Sequence, residues 1–190
     1  VRDVPGVADV APDIQAFARI LAQDGTPLGS GGGPATFGSI GTEFQGSLWR
    51  VVRGRFANGP GEVVLDEASA TKGGYALGEP VRVVAQSGSR EFELVGIASY
   101  GDVRSPGGAT FALFDPETAA EFLGKPGFVD ALLVVGDGSR SDTELVAAID
   151  AALSPGANVE TLTGAEITKA TQDAIGQALA PLRGDHPQLP

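Results

Sequence analysis

The stretch GEVVLDEASATKGGYALGE, Gly61 to Glu79, constrains the fold of this chain more than any other. Glu62 to Leu65 is a β-branched and apolar run that reads as a strand. Asp66 stands where a side-chain oxygen can accept from the first free amides of a helix, and Gly73-Gly74 supplies the left-handed residue that ends it. Leu77 is expected to fold back on the helix end, and Gly78 turns the chain. PVRVVA then pairs with REFELVGIA across the turn QSGS, giving a strand, helix and hairpin unit. Every residue of the stretch has a structural task, so it reads as scaffold rather than site.

Elsewhere the chain is punctuated in the same way. Asp13 to Gln23 alternates in both registers and is read as a strand and hairpin because Asp24-Gly25 and Thr26-Pro27 form a turn signal. Gly29 to Gly41 is the one low-complexity segment, read as a loop too rich in glycine for regular structure. Ser47 to Phe56 is extended in character, and ANGPG after it is a turn cluster. Asp115-Pro116-Glu117 predicts a capped helix that stops at Gly124, and DALLVVGDG predicts a buried strand. Ser141 to Glu144 is a capping box, with Leu145, Val146, Ile149, Ala152 and Leu153 as the inner face of its helix. Asn158 to Leu162 reads as a further strand. A second capping box, Thr163 to Glu166, opens a longer helix with Ile167, Ala170, Ala174, Ala178 and Leu182 on one side. The late strand and helix alternation is an α/β pattern, and the order before it is mixed.

Composition limits the chemistry. With 190 residues the chain can form one good-sized domain or two small lobes. No cysteine is present, which removes disulfides, thiolate ligands and cysteine nucleophiles, and no methionine is present either. A chain without oxidisable sulfur is compatible with an extracytoplasmic life. The formal charge of −11 repels polyanions, so nucleic acid is set aside as a partner. Residues 1–60 carry five basic and five acidic side chains, and the acidic excess lies wholly in the remainder. Apolar runs such as ALLVV are far too short to span a bilayer, and the chain as given reads as soluble. It begins VRDVPGV and ends GDHPQLP, and is expected to be a piece of a larger protein.

Candidate catalytic groups are few. The one histidine, His186, stands in a proline-bearing tail, which leaves a triad or zinc site without its partners. Gly29 to Gly33 lacks the Lys-Ser/Thr of a phosphate-binding loop. Trp49, Arg50, Arg53, Arg55 and Phe56 mix bases with aromatics, as a half-buried strand also does. Asp66 and Glu67 point to different sides of a helix, and Glu91 and Glu93 share a strand face that reads as solvated surface. No catalytic, cofactor or metal residue is assigned. Phe37, Phe44, Leu48 and Trp49 lie in or beside the glycine loop and are the candidate partner-contact residues, the alternative being that they tuck back onto the core.

The run VPGV at Val4, then GRF-x3-PGEVVLD with Ala68 and Ala70, then ALGEPVRVV and FELVGIA, resembles the extracytoplasmic (MacB-like periplasmic core) domain of FtsX/MacB-type ABC transporter permeases. FALFDPETAAEFLGKPG and TLTGAEI are similar to the versions found in high-GC Gram-positive bacteria, so the resemblance runs from Val4 to about Leu182. It implies an α+β fold with a membrane-proximal α/β lobe from residues 1–46 and 116–183 and an inserted, strand-rich distal lobe from 47–115. Residues 184–190 would be a tail. It further implies a domain between the first two transmembrane helices of a permease, on the outer face of the membrane. Such a domain performs no chemistry and holds no cofactor. ATP would be bound by a partner ATPase in the cytoplasm, and a second permease copy would join through the parent chain. The domain would pass ATP-driven motion to an envelope substrate or partner protein. The other reading is a secreted or anchored module that captures a lipid, peptide or small ligand, which calls for a large, mostly apolar cavity. A hydrolase is the third. The isolated domain is expected to be monomeric or weakly dimerising.

Overall fold

The computed structural model describes residues 1–29, 35–154, 156, 159–167 and 169. In chain order the strands are β1 (Val7–Asp13), β2 (Gln15–Ile20), β3 (Thr36–Ile40), β4 (Trp49–Gly54), β5 (Glu62–Asp66), β6 (Pro80–Ala85), β7 (Gly88–Tyr100), β8 (Thr110–Phe114) and β9 (Ala131–Gly136). Among the described residues the α-helices α1 (Glu67–Gly73), α2 (Pro116–Phe122) and α3 (Asp142–Ala152) accompany them. The fold is mixed, rich in strands and poor in helices.

The chain divides into two compact units. One is Asp9–Val135; the other is Val1–Ala8 with Gly136–Pro190. In the first, seven strands form one sheet in the order β4-β7-β5-β8-β3-β2-β6. Strand β7 also pairs with β6, so the sheet closes on itself as a small barrel with β4 attached outside the ring. The thirteen residues of β7 make this possible: its first half carries β6, its second half carries β4, and β5 runs parallel along the other edge. The barrel is filled by Val63, Leu65, Val81, Val83, Phe92, Leu94, Ile97 and Phe114 among others. Rings of Phe92, Phe114 and Phe122 meet at centroid distances of 4.9, 5.1 and 5.5 Å. Each such pair adds roughly 0.5–1.5 kcal/mol beyond burial.

The Gly61 to Glu79 unit forms as its sequence predicts. The Asp66 side chain accepts from the Ser69 amide, and Gly74 closes α1 with φ of 76°. Strands β6 and β7 pair across the expected turn, from Pro80 with Glu93 to Ala85 with Gly88. Leu77 is a difference: it is exposed instead of folding back on the helix. Asp115 caps α2, and Ser141 with Glu144 forms the predicted capping box of α3.

Three expectations are corrected. The glycine-rich stretch to Gly41 is not wholly loop, because Thr36–Ile40 is β3, parallel to β8 and antiparallel to β2. Its Gly38 serves packing: a Cβ there would lie 2.5 Å from Leu123 Cδ2 and 2.9 Å from Ala18 Cβ. The DALLVV strand exists as β9, but most of it is exposed; among the described residues it pairs with β1, in a separate two-stranded sheet. Residues 159–162 form no strand, and Asn158 lies outside the described residues. The second capping box is formed, with the Thr163 hydroxyl accepting from the Glu166 amide at 3.2 Å, and a helical turn follows at 164–167. Ala170, Ala174, Ala178, Leu182, His186, Gly31 to Gly33 and the 184–190 tail lie outside the described residues.

The expected lobes, 1–46 with 116–183 and 47–115, place their first seam between β3 and β4. In the structure β2 and β3 share hydrogen bonds with β6 and β8 inside the same closed sheet, and the compact units divide within β1 and near the end of β9.

Candidate functional site

The four candidate contact residues do not share one open surface. Phe37 on β3 and Trp49 on β4 both pack on Phe111 of β8, at ring-centroid distances of 5.2 and 5.0 Å. Trp49 also meets Tyr100 edge-on at 5.0 Å. Phe111 belongs to a second apolar cluster with Val64, Ala98 and Leu113, on the face of β5 and β8 opposite the barrel interior, and Phe37 and Trp49 pack against it. Phe44 is half-buried, and Leu48 is 52% exposed. Aromatic spacing on alternating strands draws Phe37 and Trp49 back to the sheet, and Leu48 remains the outward residue of the set.

Asp66 does more than cap α1. Its carboxylate is fully buried; Oδ2 accepts from the Ser69 amide at 3.0 Å, and Oδ1 accepts from the Phe111 amide at 2.7 Å. Burial pushes the carboxyl above the ordinary aspartate range, against the opposing pull of its hydrogen-bond donors. The residue ties helix to strand and is enclosed, which suits scaffold. Its neighbour Glu67 pairs with Arg104 at 3.2 Å, and Glu91 pairs with Arg82 at 3.6 Å, both at the surface.

Sequence reasoning missed a polar cluster at the corner where β1 turns into β2. The Asp130 amide donates to the Asp13 carbonyl at 2.9 Å, and the Gln15 amide donates to Asp130 Oδ2 at 2.8 Å. Lys125 Nζ donates to Asp130 Oδ1 and reaches the Gln15 carbonyl at 3.4 Å. The Ser39 hydroxyl donates to Asp13 Oδ1 at 3.3 Å. Burial raises the Asp13 carboxyl, assisted by the nearby Asp130 charge. For Asp130, burial acts upward but the Lys125 and Gln15 donors outweigh it, so the carboxyl lies below its ordinary range. The one local signal was the Lys125 to Asp130 segment, KPGFVD, with opposite charges at both ends of a turn.

Among the described residues no group of His, Asp and Glu could hold a metal ion. None of the described helices is long and apolar enough to cross a membrane. A cavity of about 350 Å³ lies on α3, lined by Arg140, Glu144, Ala147 and Ala148, and this mixed charged and alanine lining is not an apolar capture site.

The fold defines a class of protein. The periplasmic region of MacB from Actinobacillus actinomycetemcomitans superposes with a TM-score of 0.60 at 13% identity, over 90% of this chain and 79% of that one. The extracellular domain of the noncanonic ABC-type transporter YknZ from Gram-positive bacteria gives 0.51 at 14% identity, over 76% and 73%. One is a periplasmic region and the other an extracellular domain, and at these identities the likeness is one of fold. The family profile described as the MacB-like periplasmic core domain matches residues 1–169. The chain belongs to that family: it is an extracytoplasmic domain of the kind carried by MacB/FtsX-type ABC transporter permeases. No curated protein matches the chain.

Proposed function

We propose that this domain is a non-catalytic transmitter: ATP hydrolysis by a cytoplasmic ABC ATPase moves the permease, and the domain carries that motion to an envelope substrate or partner protein. The parent permease works with a second copy of itself. ATP stays on the ATPase, and the domain needs no cofactor. The observation that carries this reading is the covalent path between the two compact units. Both chain crossings fall within the paired strands β1 and β9, so a displacement along either crossing enters the barrel beside the other. Asp66, the best enclosed carboxylate, is consumed by backbone amides, which supports a scaffold without chemistry.

Immunopurification from membranes of the native cells, with an antibody against this domain, tests the partnership. The expected result is a band far heavier than the 190-residue chain, retained after alkaline carbonate washing and eluting with an ABC ATPase. A domain-sized band in the secreted fraction, free of ATPase, would overturn it and favour the ligand-capturing module.

A further inference from the structure

We propose that Asp130 is a latch that holds β1 and β9 together where they join the barrel, so that the two strands move as one body. A two-stranded sheet alone is marginal in water. Strand β9 gains little from burial, since its Leu132 and Leu133 are 47% and 38% exposed, whereas Val10 and Ala11 of β1 are buried. The side-chain contacts that tie the two strands to the barrel converge at the corner Asp13-Ile14-Gln15. Ile14, 1% exposed, anchors that corner in the barrel core. The backbone amide of Asp130 bonds the last residue of β1, and its carboxylate takes the amide of the first residue of β2. Lys125 spans Asp130 and the Gln15 carbonyl, while Ser39 ties Asp13 to β3. The charged groups facing Asp130 are Lys125 and Asp13, one attractive and one repulsive.

The latch is built to open. The Lys125 and Asp130 side chains are 29% and 40% exposed, so water screens their attraction, and losing it leaves the barrel core untouched. Local opening of that kind separates a low-stability element from the global fold. The latch itself stands on geometry alone; its service to transmission rests on the function proposed above.

Amide hydrogen exchange on the 190-residue chain tests it. Asp130→Ala should speed exchange at residues 9–13 and 131–135 by roughly tenfold, with Val63, Leu65 and Phe114 unchanged. Lys125→Met should speed the same strands by roughly threefold, because the Gln15 amide keeps its acceptor. High salt should reproduce part of that effect in the parent chain, and in Lys125→Met, where only the Asp13 repulsion is left to screen, it should not speed exchange further. Unchanged exchange in β1 and β9 of Asp130→Ala would overturn the latch, and so would equal acceleration in the barrel. The link to transmission is separable. If Asp130→Ala loosens the strands but leaves nucleotide-driven motion of the intact permease unaltered, the latch stands and its service to transmission falls.

Discussion

Asp66 shows how much one side chain carries here. A capping aspartate contributes about 1 kcal/mol to its helix, and a buried amide left without an acceptor costs about 1–3 kcal/mol more. Because Asp66 accepts from both the Ser69 and Phe111 amides, Asp66→Ala should destabilise the chain by about 2–4 kcal/mol in denaturant unfolding. Glu67→Ala, which removes only a surface pair with Arg104, should cost under about 1 kcal/mol. Similar costs for the two would mean that Asp66 is not the tie between α1 and β8. The cap was legible in sequence because a helix start is specified by the side chain at that position. The bond to Phe111 was not, since it joins residues 45 apart that only the closed sheet brings together.

Among the elements, those written by local chemistry were readable. The caps at Asp115 and Ser141, the glycine stop at Gly74 and the turn between β6 and β7 all specify their geometry within a few residues. Strand β3 was hidden because glycine in a sequence signals freedom, whereas Gly38 is needed for close approach. Gly38→Ala drives a Cβ into Leu123 and Ala18, both buried, and overpacking of this kind costs roughly 1–3 kcal/mol. A matching loss of stability with unchanged β-sheet circular dichroism is the expected result; a neutral substitution would show that α2 can shift away. Strand β9 taught the converse. Its apolar run reported an extended backbone correctly but could not report what covers it, and little does. The run TFALF, buried throughout as β8, is short and lacks the period-2 polar alternation that marks a half-buried strand.

At the scale of the molecule, the compact units have other bounds than the lobes the resemblance implies. The β6 pairing with β7 closes a ring that absorbs β2 and β3, so division by contacts falls in β1 and β9 rather than between β3 and β4. Closure depends on registers between distant strands, which composition and periodicity do not encode. The family was legible through ordered motifs; for the candidate contact residues a tuck onto the core was an open alternative, but that Phe111 would receive Phe37 and Trp49 was not legible. The central claim is that ATP-driven motion passes through β1 and β9. It is tested most directly by spin labels at Lys72 on α1 and Asp150 on α3, both exposed and in different units. The chain has 0 cysteines, so the two introduced for labelling would be its only thiols. In the permease with its ATPase, the distance distribution between the labels should shift when nucleotide is trapped. Superimposable distributions with and without nucleotide, in a complex that turns over ATP, would contradict it.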